Sequence, residues 1–523
     1  MIDRSPRMYR NSLLLALAIL LCLPLSAGAQ ERDTFIYVRP LEIISLDPAT
    51  VTESLSGFVL RNVYSRLVDT AYDGSSVEAD LAHSWTVSDD GLIYDFELRE
   101  GVLFHDDSTL QASDVVYSFE RLLAIGEGDA ASLAPWIASV EATGDLSVRF
   151  TLSEPFSAFI LLLGYPRGTS IVSEAWVSAN ATEEDPWATA FMATNMMGTG
   201  PYRFVEWVPS EFARIERFDD YYGGPAPIRE VVSLINKDDT ATRLSLEAGE
   251  VDAVPQIPND IINALADNPD IAIHRRATGQ ATFWSFNHTI PPFDDVRVRQ
   301  AIVAAMDYDG LMENLVGDFG VRMNTPVFAS MPFHDADYPL PVQDQERARA
   351  LLAEAGYADG LEIELIYVDW RILKDIVVVI QSSLAEVGIT AELVEQPFGP
   401  FLENIGNDVT GIYPWVSGPD YPQAISVLER FDSEAITPGD FDGNISRYMN
   451  EEYDALLDAY RASDDPVEQE ALAHQMQAML MEDAVWMMLY QDQETQVTRA
   501  NVEGYDFGVY NYLDMRDVHY SSE

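Results

Sequence analysis

Two side chains that most proteins use freely are nearly missing from this sequence. Lysine occurs twice, at Lys237 and Lys374, and cysteine once, at Cys22. A single cysteine closes no internal disulfide, so the stability of the folded body has to come from its core alone. Positive charge is scarce altogether: 31 Lys and Arg stand against 86 Asp and Glu, a formal net charge of −55. A field of that sign repels phosphate, which argues against nucleic acid and anionic lipid as partners. Long apolar runs are missing too. Beyond the first 30 residues no stretch approaches the roughly 20 apolar residues a membrane helix needs.

Catalytic and metal-binding patterns are equally thin. The seven histidines (His83, His105, His274, His288, His334, His474 and His519) are scattered, and no two stand four residues apart as zinc-binding pairs on a helix do. There is no Gly-x-Ser-x-Gly elbow and no phosphate-cradling glycine loop. Asp318-Phe319-Gly320 copies a kinase triplet without the catalytic loop and paired lysine that give it meaning, and reads as a turn. Asp440, Asp442, Asn444 and Glu451 fall at positions 1, 3, 5 and 12 of a calcium loop. Ile445 stands where that loop needs glycine, and Arg447 places a cation inside it, so a turn is the better reading. No catalytic residue, metal site or cofactor is expected. An exported hydrolase with a site of another kind is the alternative from a different functional class.

What is present begins at the amino terminus. Arg4, Arg7 and Arg10 precede an apolar run from Leu13 to Leu25, followed by the small residues Ala27-Gly28-Ala29. This is the layout of a secretory signal peptide over residues 1–29, cleaved after Ala29, and it predicts a periplasmic location. The run is short for a retained membrane anchor, and Cys22 reads as part of it. Cleavage removes three Arg and Asp3, leaving 28 basic and 85 acidic residues, a net charge of −57. The remaining 494 residues imply two or three domains.

The body reads as mixed α/β. Asp89-Asp90-Gly91 turns between alternating strands around Trp85 and Phe96, and a second hairpin turns at Gly144-Asp145. Between them Ser113 or Asp114 caps a helix carrying Val115, Phe119 and Leu122. Helices then alternate with strands: 241–248 stopped by Gly249, a helix capped by Asp294 or Asp295, 346–355 stopped by Gly356 before the strand 361–367, and 375–387 stopped by Gly388 before the strand 389–394. Residues 453–481 read as helical with a break at Asp464-Asp465-Pro466. Such units predict sheets covered by helices.

Ordered along the chain are blocks that together resemble one family. They are Leu81-Ala82-His83-Ser84-Trp85 through Asp89-Asp90-Gly91 to Phe104-His105-Asp106, then Gly198-Thr199-Gly200-Pro201-Tyr202, then Tyr221-Tyr222-Gly223. Phe286-Asn287, the run Pro292 to Ala301, Ala348 to Gly356, and Arg447 to Asp454 continue the series. The sequence is similar to the family-five extracellular solute-binding proteins, the dipeptide- and oligopeptide-binding subunits of bacterial ABC importers. The resemblance implies a type II periplasmic-binding-protein clamshell of two α/β lobes, with an extra β-rich domain inserted in the first. It implies a first lobe built from 30–75, 198–280 and 488–523, an inserted domain at 76–197, and a second lobe at 281–487. Crossovers near Gly198–Pro201, Gly279 and Tyr490 would form the hinge.

The resemblance also implies a function without catalysis: a monomer that captures a peptide or other amine-bearing solute between its lobes and delivers it to inner-membrane permease subunits. Relatives hold the solute's ammonium with an aspartate that Asp420 matches, in Tyr413-Pro414-Trp415-Val416-Ser417-Gly418-Pro419-Asp420-Tyr421. Trp415, Tyr421 and Tyr413 would flank it. Arg39 and Glu42 match a first-lobe loop laid along the ligand, with Arg39 placed to pair an anionic group. Two residues are added before Asp420, and Gln423 stands where many relatives have a second aspartate, so nickel or a metal chelate stays open as the other ligand class. Asp420 beside Pro419 also suits a plain turn.

The charge imbalance carries its own expectation. Self-repulsion of this size is relieved when salt shortens the Debye length to about 3 Å at about 1 M, which points to a marine or halophilic source. The melting temperature of the mature protein should rise between low and molar sodium chloride, followed by circular dichroism. A melting temperature that stays level or falls would rule out adaptation to salt.

Overall fold

The computed structural model describes residues 33–521 except 41, 52–55, 72–75, 128–132, 157, 165–167, 256, 371, 419–422, 437–442, 464 and 509–511. The expected signal peptide at 1–29 therefore lies outside the described residues, as do Asp420 and Tyr421.

Two long antiparallel strands, Ile271–Phe286 and Trp486–Arg499, organise the molecule. At one end, Val497 and Thr498 pair with Ala253–Val254. The sheet continues from there through Thr34–Arg39, Glu230–Ile235, Phe212–Arg217 and Tyr202–Val208. At the other end, Ala281 to Phe286 pair with Ile412–Ser417, and Tyr490 to Asp492 pair with Gly320–Arg322. One sheet is thereby shared by two lobes, and the chain is an α/β clamshell. The second lobe's half is buried on both faces. Phe283 stacks on Trp486 at 3.8 Å on one side, while Trp284, Phe286, Met487 and Leu489 enter a separate core on the other. Side chains alternate across a strand, so a strand apolar on both faces has to lie between two helical layers.

The pairing of the two long strands breaks in the middle. Ala277 faces Gln493 and Ala281 faces Gln491, so Thr278, Gly279 and Gln280 lie opposite Asp492 alone. The Thr278 carbonyl accepts a 2.5 Å hydrogen bond from the Gln491 side chain. A bulge of this kind loosens the ladder and lets it bend. Gly279 lies within this bulge, and Tyr490 pairs with Thr282 just beyond it.

The turn at Gly198–Pro201 is tightly packed. Added Cβ atoms there would meet the Val63 carbonyl oxygen at 2.1 Å from Gly198 and the Asn62 carbonyl oxygen at 2.7 Å from Gly200. The Gly198 amide donates to His105 Nδ1, whose Nε2 donates to the Gly200 carbonyl at 3.0 Å. This turn clamps the inserted domain onto the first lobe. The buried His105 is held at a pKa of about 4, chiefly by desolvation, and stays neutral at physiological pH.

The insertion is a four-stranded antiparallel sheet in the order Ala82–Val87, Ile93–Leu98, Ser147–Leu152, Ile137–Gly144, with the helix Ala112–Ile125 packed on it. Both expected hairpins are there. The helix cap is Gln111, not Ser113 or Asp114: Asp114 holds the helix end from the third position, accepting the Gln111 amide at 2.9 Å. Asn444 in the calcium-like stretch donates its Nδ2 to the carbonyls of Asp432 and Tyr448, and its Oδ1, the atom a cation would use, accepts the Tyr448 amide at 3.1 Å. Asp440 and Asp442 lie outside the described residues.

A buried ion network ties the carboxyl-terminal segment back to the first lobe. Arg61 donates to Asp69 and Asp514, and Arg516 binds the same two carboxylates at 2.9 and 2.6 Å. Arg66 lies 3.4 Å from Asp69. Desolvation alone would raise the Asp69 carboxyl, but Arg66, Arg61 and Arg516 outweigh it and hold it well below the usual carboxylate range. Asp514 is depressed in the same way. Carboxyls depressed by folding stabilise the protein above their unfolded pKa of about 4, and that stability is lost as pH falls. Asp69→Asn should cost about 3–5 kcal/mol at pH 7, because it leaves buried guanidinium charge uncompensated. It should also flatten the acid limb of stability below about pH 5. Urea melts across pH check both, and an unchanged acid limb would show that the network does not titrate with folding.

Candidate functional site

Open α/β sheets place ligands outside the carboxyl ends of their parallel strands, where helix starts and loops converge. In the first lobe Thr34–Arg39 runs parallel to Glu230–Ile235 and to Ala253–Val254. Their carboxyl ends lead into Pro40, Lys237 and Pro255. In the second lobe Leu361–Tyr367 runs parallel to Ile389–Glu395 and leads toward Ile372. All of these flanking residues except the strands themselves line one cavity of about 580 Å³. Its floor is the strand crossover: Thr278 and Gln280 from the bulge, and Asp492, Gln493 and Glu494 from the facing strand. Polar groups concentrate where the two strands pass between lobes. A cavity of this volume is sized for a small solute.

A second cavity, about 570 Å³, opens beside the parallel pair between Val368–Trp370 and Glu395–Phe398. Trp370 and Phe398 are 44% and 56% exposed, with ring centroids 6.4 Å apart. Lys374 lies 3.2 Å from Glu395 and 3.9 Å from Asp369. A third, narrow apolar pocket sits under Ser417 and Gly418, walled by Phe283, Phe328, Trp486 and Met488. There Arg430 donates to the Ser417 hydroxyl at 2.7 Å.

The residues expected to bind a ligand separate into different roles. Trp415 is half-buried near the cleft end of the strand Ile412–Ser417, parallel to Phe401 at 6.5 Å. Tyr413 lies two residues further back on the same strand. It is fully buried, and its hydroxyl donates to the Ile445 carbonyl at 2.6 Å, because it sits near the far end of that strand, away from the cleft. Arg39, the last residue of its strand, is 4% exposed, with its charge acting on the Tyr37 hydroxyl. Glu42 is committed elsewhere: its carboxylate accepts the Ser210 amide and, at 2.9 Å, the Ser210 hydroxyl. That contact holds Ser210 in the left-handed conformation the hairpin turn needs, at φ 63°.

Gly418, which follows the strand Ile412–Ser417, packs closely against Gly279. A Cβ on Gly418 would lie 1.5 Å from the Gly279 carbonyl oxygen, so only glycine fits where the strand leaves the second lobe against the bulge.

Lys237, Asp492, Glu494, Trp370 and Phe398 were not expected from the motifs. A signal for the acids was present, since Gln491-Asp492-Gln493-Glu494-Thr495-Gln496 is a polar run inside an otherwise apolar strand. A strand buried at both ends and polar in its middle marks a solvated crossing.

Comparison with known proteins bears on this arrangement. Residues 76–438 match the model described as "Bacterial extracellular solute-binding proteins, family 5 Middle". The chain is 27% identical over 503 residues to the probable D,D-dipeptide-binding periplasmic protein DdpA of Escherichia coli K12, covering 94% of this chain and 95% of that one. HbpA2 from Haemophilus parasuis superposes with a TM-score of 0.86 at 23% identity, over 94% of this chain and all of that one. The periplasmic binding protein DppA of Helicobacter pylori, in complex with the peptide STSA, superposes with a TM-score of 0.73 at 26% identity, over 94% and 98% of the two chains. The match to the family model covers well over half of the sequence, and the chain belongs to the family-5 bacterial extracellular solute-binding proteins.

Proposed function

We propose that this chain is the exported solute-capturing subunit of a peptide-type ABC importer, and that it catalyses nothing. The observation that carries the reading is the cavity beyond the carboxyl ends of the first lobe's parallel strands, walled on the other side by Leu315, Val316, Phe319 and Ile372 and floored by the strand pair that joins the lobes. A solute touching both walls binds the closed arrangement better than the open one, and shifts the population toward closure. Closure is then the signal that permease subunits read. Residues 1–29 direct export and are removed, and the mature monomer works in a periplasm open to a salty medium. The lobes follow the division 30–75, 198–280 and 488–523 against 281–487, with 76–197 inserted.

The solute is a peptide or a similar amine-bearing molecule. The floor and walls present Asp492, Glu494 and Asp239 to it, groups that suit an ammonium once water is expelled. Asp420 anchors that ammonium, with Trp415 and Tyr421 beside it. Nickel capture has less to stand on, since no group of three His, Cys, Asp or Glu side chains gathers within reach of one ion among the described residues.

Asp420→Asn tests the anchor. With the solute that co-purifies with the protein, identified by mass spectrometry, the substitution should weaken binding by about 2–5 kcal/mol. That is roughly 30- to several-thousand-fold in calorimetric titration. The melting temperature of the empty protein should barely move, because a carboxylate in a wet, open cleft adds little to the fold. Affinity within about twofold of the parent, together with a lower melting temperature, would make Asp420 a turn residue and place the anchor elsewhere.

A further inference from the structure

Two large rings stand uncovered at the carboxyl ends of the second lobe's parallel strands. Trp370 and Phe398 are 44% and 56% exposed, with centroids 6.4 Å apart, on the two walls of the 570 Å³ cavity. A lone exposed apolar side chain is ordinary, but two rings that meet over a cavity form a patch that asks for an occupant.

The backbone holds both rings in place. Tyr367 and Glu395 end the parallel strands, and the Gln396 amide donates to the Tyr367 carbonyl at 2.8 Å, which ties the two walls at their base. The Trp370 amide donates to the Val368 carbonyl at 2.9 Å, and the Trp370 carbonyl accepts the Leu373 amide at 3.2 Å. Phe398 opens the helix Phe398–Gly406, in which Phe401 and Ile405 are buried. At spacings of three and four residues Phe398 belongs to the same face, and extends it past the end of the sheet. Rings carried on a fixed backbone lose little freedom when a ligand arrives.

The polar groups of this cavity are already spent on one another. Lys374 lies 3.2 Å from Glu395 and 3.9 Å from Asp369. Glu395 also accepts the Tyr367 hydroxyl at 3.2 Å, and the Gln396 side chain accepts the Asn404 amide at 2.9 Å. What remains on offer is ring surface, with Val368 and Pro397 beside it. Such surface favours an apolar group, and a flat one most, because aromatic pairing adds to simple burial.

Position links this cavity to the one between the lobes. Trp370 stands two residues before Ile372, which lines the interlobe cavity, and two residues span at most about 7 Å. A solute seated between the lobes therefore has the rings within about one long side chain's reach.

We propose that Trp370 and Phe398 form the specificity subsite of this protein, clasping one large apolar side chain of the captured solute, aromatic by preference. This assignment rests on the peptide reading given above and narrows it to peptides that carry such a side chain.

The test uses the full mature protein, dialysed free of solute, and two pools of dipeptides, one carrying Phe, Tyr or Trp at either position and one built from Ala and Ser alone. Stabilisation against heat is read across pool concentration for the parent, Trp370→Ala, Phe398→Ala and Trp370→Phe. The parent should respond to the aromatic pool at a concentration roughly tenfold or more below that needed for the small-residue pool. Trp370→Ala and Phe398→Ala should lose that preference, and Trp370→Phe should keep most of it. The unliganded melting temperature should be the same in all four, since both rings are half-exposed. Equal responses of the parent to both pools overturn the assignment. So do alanine variants weakened equally toward both, which would make the rings a lobe-closing contact. A parent that responds to neither pool removes the peptide reading itself, and the subsite with it.

Discussion

Everything in this molecule hangs on the pairing of Ile271–Phe286 with Trp486–Arg499. The two strands carry the first lobe's sheet on one end and the second lobe's on the other. Their apolar ends are anchored in separate cores, and their polar middle is not. Three residues oppose one at the bulge, so ladder hydrogen bonds are missing where the strands are least buried. A bend placed there costs little packing, because the packed parts on either side move as bodies. The same polar middle floors the cavity. In the function proposed above, hinge and binding floor would be one structure, and a solute touching the floor would sit where the lobes are to move.

Rigidity is invested on either side of that crossing. The Arg61, Asp69, Asp514 and Arg516 network joins residues more than 440 positions apart, and makes the carboxyl-terminal segment part of the first lobe. Arg121 with Asp47, and His105 with the glycine turn at 198–200, do the same for the inserted domain. Buried charges with several partners are costly to separate. With only 31 positive charges available, the chain places many of its arginines in such contacts, and displays a lysine in the cleft.

Local structure was legible in the sequence wherever a residue type forces a conformation. Gly249, Gly356 and Gly388 stop their helices at positive φ, as read, and the strand 361–367 is found with the same limits. The hairpins of the inserted sheet follow from alternation and turn residues. The long strand Ile271–Phe286 escaped notice because its first half is polar and mostly half-buried, which erases the period-two pattern. The contacts of Glu42 and Tyr413 escaped notice for a related reason. Each lies in a segment that borders the cleft, but Glu42 is claimed by Ser210 in a distant hairpin and Tyr413 by Ile445 in the core. Neither partner is near in sequence, so no local pattern records the contact.

The central claim is that solute binding closes two bodies about the bulge. Small-angle X-ray scattering of the mature protein, without and with saturating co-purified solute, measures that motion directly. The account predicts a smaller radius of gyration in the bound state, with no change in mass. An unchanged radius at proven saturation would contradict it, and would mean that the cleft is a rigid pocket.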